Sequence, residues 1–157
     1  MGVSVKNEKV EILFRSIFRS AAPGGEETMS WEDSRCQRME YTVSGEHFQK
    51  GDTHYCLYEE QPEGWEEPYK AMLKWKSAVL EQHKKGKAAS RIVFEPGKCR
   101  RDFYRTPFGE LLLDIQTHRL DICEEKEKFL LLLEYDIRQE DRIISENRME
   151  IQIKRLL

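Results

Sequence analysis

Apolar and polar residues alternate along most of this chain, and a two-residue period marks strands that bury one face. Val10, Ile12, Phe14 and Phe18 alternate with Glu11, Arg15 and Arg19; Leu13 and Ile17 break the pattern, so the outer face is expected to be partly covered. The alternation is cleanest where Tyr69, Ala71, Leu73 and Trp75 interleave with Lys70, Met72, Lys74 and Lys76. Residues 36–43 predict another strand, and 78–82 and 90–94 two short ones. Residues 129–137 fit a helical stripe as well as a strand. We read them as a strand, beside the firmer alternation of Met149, Ile151 and Ile153.

Turn chemistry joins these segments. Gly51-Asp52 suits a type II′ hairpin turn inside residues 45–60. Counting outward pairs Lys50 with Thr53, Gln49 with His54, Phe48 with Tyr55 and His47 with Cys56. Thr106-Pro107-Phe108-Gly109 reads as a type I turn, with proline second and glycine last, between the strands 98–105 and 110–117. Pro96-Gly97 suits a type II turn. Leu111, Leu113, Ile115 and Thr117 are out of phase with Leu120 and Ile122, so a β-bulge is expected between Gln116 and Arg119. Ala21 to Gly25 and the acidic stretch Pro62 to Pro68 are loops, and Lys84 to Lys87 is a basic turn.

Eight to eleven antiparallel strands with no βαβ alternation predict an all-β fold. Closure into an up-and-down barrel hides the strand edges best. A length of 157 residues suits one domain spanning 1–157, with 1–7 a frayed end. Charged residues are 35% of the chain but mixed in sign, with a net charge of −3, which disfavours a dominant nucleic-acid footprint. No apolar run approaches a membrane span and no signal core follows Met1, so we expect a cytoplasmic, non-membrane protein with reduced thiols at Cys36, Cys56, Cys99 and Cys123.

Phe94-Glu-Pro-Gly97, then Tyr104-Arg-Thr-Pro-Phe-Gly109 and Leu111-Leu-Leu-Asp-Ile-Gln-Thr117, carry a resemblance. So do Tyr58-Glu-Glu60 and Leu133-Glu-Tyr-Asp-Ile137. Together they are similar to a bacterial family catalogued as domain of unknown function 1934. The resemblance implies a calycin-like barrel akin to lipocalins and fatty-acid-binding proteins, and it implies no activity or catalytic residue.

Candidate chemistry is sparse. His47, His54 and Cys56 share one face of the 45–60 hairpin with Gln49 and Tyr58, three ligand types suited to zinc without an evident fourth. His47 opposite Cys56 makes a nucleophile pair that lacks an oxyanion site, so structural roles are the better reading. Glu59 shares the other face with Tyr55 and Leu57. Tyr55, Glu59, Tyr69, Trp75, Phe94 and Tyr104 are the expected lining of the barrel interior. Lys84, Lys85 and Lys87 together with Lys98, Arg100, Arg101 and Arg105, interleaved with Phe103 and Tyr104, form a basic surface for RNA or a protein partner. No dinucleotide, phosphate-loop, zinc-protease or serine-hydrolase motif occurs, so no catalytic residue, cofactor or metal is assigned. The expected function is non-enzymatic binding of a small apolar molecule, with interaction through residues 84–105 as the alternative. Self-pairing through an exposed strand edge is a further partner option.

Overall fold

The computed structural model describes residues 7–20, 30–61, 63–86, 89–106 and 109–156, of which 104–106 and 109 are described by their backbone alone. Ten strands run in chain order: β1 (Glu8–Ser20), β2 (Gln37–Lys50), β3 (Thr53–Glu60), β4 (Tyr69–Lys76), β5 (Val79–Lys84), β6 (Ser90–Phe94), β7 (Cys99–Thr106), β8 (Gly109–Glu124), β9 (Lys128–Gln139) and β10 (Arg142–Arg155). Each pairs antiparallel with its chain neighbours, and β1 also pairs with β10, from Val10↔Arg155 to Ser20↔Ser145. The sheet is therefore the closed, up-and-down, calycin-like barrel that the alternation and the resemblance predict. No helix among the described residues is long and apolar enough to cross a membrane.

The hairpin register counted from Gly51-Asp52 is the observed one, including Phe48↔Tyr55 and His47↔Cys56. Gly51 takes the positive φ of 57° that opens such a turn. A register shift between Thr117 and Arg119 is the expected bulge on β8. Residues 129–137 are strand, not helix. Thr106 pairs with Gly109 across the β7–β8 hairpin, while Pro107 and Phe108, and with them the turn type, lie outside the described residues. The expectations for residues 1–6, 21–25, Pro62 and Lys87 lie there too.

Two features depart from the local reading. β2 is one continuous strand through Gly45, where an added Cβ would stand 2.7 Å from the Leu57 carbonyl oxygen and 3.0 Å from Ile12 Cδ1. Glycine here lets two neighbouring strands close in as the wall bends. The β9–β10 turn is Glu140-Asp141, both at positive φ (52° and 63°), a geometry that glycine and asparagine ordinarily supply. The thinnest join is β6–β7, with the single ladder pair Ser90↔Tyr104.

Inward rows of β1, β3 to β6 and β8 to β10 meet in one core, against which the half-buried Tyr41 and Val43 of β2 pack. Ile12 and Phe14 of β1, Cys56 and Tyr58 of β3, Leu73 and Trp75 of β4, Phe94 of β6, Ile115 of β8, Phe129 and Leu131 of β9 and Ile151 of β10 are all buried together. A barrel of about eight strands already has room for side chains or one small ligand, and ten strands enclose more. Six large aromatic side chains, Phe14, Tyr58, Tyr69, Trp75, Phe94 and Phe129, occupy that extra width.

Candidate functional site

Of the expected lining residues, Tyr69, Trp75 and Phe94 lie in the buried core. Tyr55 and Glu59 do not line it. Cys56 pairs with Leu73 and Tyr58 with Ala71, and residues paired across strands share a face, so the inward row of β4 turns Cys56 and Tyr58 inward. Tyr55 is left on the outer wall, stacked on Phe48 at 4.9 Å. Glu59 is exposed there and borders an open hollow of about 1020 Å³ that crosses the outside of β1 to β5. The side chain of Tyr104 lies outside the described residues.

The polar groups inside the barrel collect at its two ends. At one end, His47 Nδ1–H donates to Glu8 Oε2 at 3.3 Å, and Arg155 Nε–H donates to the same oxygen at 3.1 Å. That tautomer leaves His47 Nε2 to accept from His54 Nδ1–H at 3.0 Å. His54 stacks flat on Trp75, 5.0 Å between centroids, and both rings meet Phe129, over which the Arg155 guanidinium lies at 4.8 Å. Burial holds both imidazoles below their usual pKa, so the pair is neutral near pH 7. Burial raises the Glu8 carboxyl, but the hydrogen bonds from His47 and Arg155 outweigh it and hold the group low. Cys56 is fully buried in the same row, and burial pushes its thiol up, away from thiolate. The histidine–cysteine grouping thus exists in space. Its imidazoles are engaged with one another, and no cluster of three metal-binding side chains is found among the described residues.

At the other end the inward rows finish on polar residues. Glu60 follows Cys56 and Tyr58 on β3, Lys84 follows Leu80 and Gln82 on β5, and Ser90 precedes Ile92 and Phe94 on β6. Register brings them together: Glu60 faces Tyr69, Ala71 faces Lys84, and Lys84 faces Ser90. Tyr41 O–H donates to Glu60 Oε1 at 2.8 Å, and Tyr69 O–H donates to Glu60 Oε2. Gln82 Nε2 donates to the Tyr58 hydroxyl at 2.9 Å. Burial, with Glu60 next, pushes the Tyr41 phenol up, so it stays a donor. Trp65, held by a hydrogen bond from the Gln61 amide to its carbonyl, packs edge-on against Tyr69 at 5.8 Å.

Lys84 and Ser90 are the unfinished members of this group. The Lys84 ammonium lies 5.4 Å from the Tyr69 ring centre, and no carboxylate among the described residues comes within ion-pair distance. Burial lowers its pKa, and Glu60 opposes that. Ser90 Oγ is buried without a hydrogen-bond partner. Sequence reasoning assigned Lys84 to a surface basic turn. The signal available was the parity of Leu80 and Gln82, which continues into Lys84.

Part of the basic 84–105 surface is neutralised in place. Arg91 pairs with Glu81 at 2.8 Å, Lys98 and Arg100 share Glu95 at 3.1 and 3.2 Å, and Arg101 pairs with Asp114 at 2.8 Å.

A family model described as Domain of unknown function (DUF1934) matches residues 26–151, and the chain belongs to that family. Among solved structures, the ywiB protein from Bacillus subtilis is similar over 96% of this chain and 94% of that one, with a TM-score of 0.77 and 17% sequence identity. At that identity the likeness concerns the fold. No curated protein matches the chain.

Proposed function

We propose that this member of the unknown-function family is a non-enzymatic binding module that takes a small molecule at the Glu60 end of its barrel. One observation carries the reading. Buried polar groups in native proteins nearly always have partners, and at this end the buried Ser90 hydroxyl has none and faces a Lys84 ammonium with no hydrogen bond or ion pair among the described residues. The interior beyond them is apolar, which suits a ligand with an apolar body. The packed core makes the mouth, not a deep central cavity, the place where such a body would lie.

The reading that assigns RNA or protein binding to residues 84–105 has less support, because Arg91, Lys98, Arg100 and Arg101 already hold carboxylates. A cytoplasmic address is part of the proposal; four free thiols, two of them exposed, favour a reducing compartment.

The test is native mass spectrometry of protein purified from cells, together with titration of the neutral apolar fluorophore N-phenyl-1-naphthylamine. A retained small-molecule adduct, or saturable one-to-one probe binding, is expected. A bare chain mass together with no saturable probe binding overturns the reading.

A further inference from the structure

Resting on that reading, we infer that the mouth at Lys84 and Ser90 selects a monoanionic carboxylate, held between the Lys84 ammonium and the Ser90 hydroxyl with its apolar body against Trp65 and Tyr69. Four observations lead there.

The first is position. Lys84 and Ser90 are direct partners across β5 and β6, and opposite residues in an antiparallel pair hold their Cβ atoms roughly 4.5–5.5 Å apart. Paired residues share a face, so the lysine and the serine hydroxyl both turn to the inner side of the wall, where one two-oxygen anion can meet both. Ala71, on the other side of Lys84 in the same register row, contributes only a methyl group and leaves the lysine stem free to swing.

The second is what these groups lack. An ammonium carries three donors and no acceptor, and a hydroxyl carries one donor and two acceptor sites. Neither has a hydrogen-bond partner among the described residues. Donors are in excess at the mouth, so it calls for an acceptor, and a charged acceptor forms the stronger bond.

The third is what the neighbours have already satisfied. Glu60 takes both phenols, Tyr41 on one oxygen and Tyr69 on the other, and Tyr58 accepts from Gln82. These groups wall the site and fix its shape. A cationic or purely donating ligand therefore finds both oxygens of Glu60 already engaged.

The fourth sets the number of charges. Glu60 sits close enough to act on Lys84 electrostatically. A single negative charge beside Lys84 is favourable. A second on the same ligand is repelled by Glu60, so a carboxylate is preferred to a phosphate dianion. Trp65, packed edge-on against Tyr69, supplies an aromatic lip against which an apolar body can lie.

The experiment compares four ligands of similar shape by calorimetry on the full chain: 3-phenylpropionate, 3-phenylpropanol, 3-phenylpropylamine and benzyl phosphate. The carboxylate is expected to bind about tenfold tighter than the alcohol, the increment of one charge-assisted hydrogen bond. The phosphate is expected to bind more weakly than the carboxylate, and the amine weakest. Lys84→Met should remove the preference for carboxylate over alcohol, Lys84→Arg should keep most of it, and Ser90→Ala should lower it severalfold. Circular dichroism identifies a variant that has not folded, and in that event the wild-type ligand series and Lys84→Arg decide. Equal affinity for carboxylate and alcohol, a preference that survives Lys84→Met in a folded protein, or phosphate binding above carboxylate each overturn the inference. If the neutral fluorophore binds and the carboxylate shows no advantage, the anion fails and the binding module stands. If nothing binds, both fall.

Discussion

The two ends of the barrel both turn polar side chains inward, and they treat them in opposite ways. At the first, the polar side chains pair with one another: Glu8 with His47, His47 with His54, and Arg155 with Glu8, beside Trp75 and Phe129. At the second, the carboxylate and phenols are paired but Lys84 and Ser90 are not. A satisfied polar cluster fixes a fold, whereas an unsatisfied one carries a stability penalty that a ligand can remove. Polarity inside a protein is therefore not in itself a mark of a site; incomplete pairing is the better one.

Four measurements probe that contrast. Trp75→Ala should destabilise the protein by about 3–5 kcal/mol in urea unfolding, since it opens a void under both histidines and Phe129. A loss under about 1 kcal/mol would mean that the first end is not a packed unit. Glu60→Leu should cost about 2–3 kcal/mol by the same measurement, because the Tyr41 hydroxyl loses its acceptor and Lys84 its nearest counter-charge. Glu60→Gln should restore part of this.

A smaller effect concerns acid. Burial first, then mutual repulsion for His47, keeps the folded imidazoles below 6.5. The unfolded chain therefore takes up more protons in that range, and stability should be intact above pH 6.5 and fall as pH drops through the window below it. Thermal melts of wild type and His47→Phe across pH 7.5 to 5 check this, and the variant should show the shallower slope. Glu8, whose folded pKa is also low, should add a further loss below pH 4.5. The smallest expected effect has the opposite sign. Lys84→Met should raise the melting temperature of ligand-free protein slightly, by up to about 1 kcal/mol of stability, because the charged form of Lys84 is disfavoured by burial. A clear destabilisation would show the lysine to be structural.

Local chemistry carried much of the architecture. Gly51-Asp52 set a register that held for four pairs, and the phase slip around Gln116 located the bulge. What local pattern did not resolve was which face of β3 looks inward, since Tyr55 and Tyr58 offer an aromatic to each side. That choice is made by pairing with β4 across the 61–68 segment, where no turn signal transmits register. The Glu140-Asp141 turn was hidden for a different reason: it adopts a glycine-type geometry without glycine, so the surrounding strands impose it. The Glu60 end was least legible. Glu60, Lys84 and Ser90 come from three strands, Lys84 read as a surface turn, and only the register of β3 to β6 gathers them.

The seam between β1 and β10 has a consequence for how the molecule is made. Its first strand finds one of its two partners only when the last has been synthesised. Until then, β1 and the newest strand each offer an open row of amides and carbonyls, the kind of surface on which chains stick to one another. Contacts so distant in sequence also form slowly. Translation would thus proceed with an unsealed sheet, and a chain stopped before Arg142 should gather in aggregates that the finished chain does not enter.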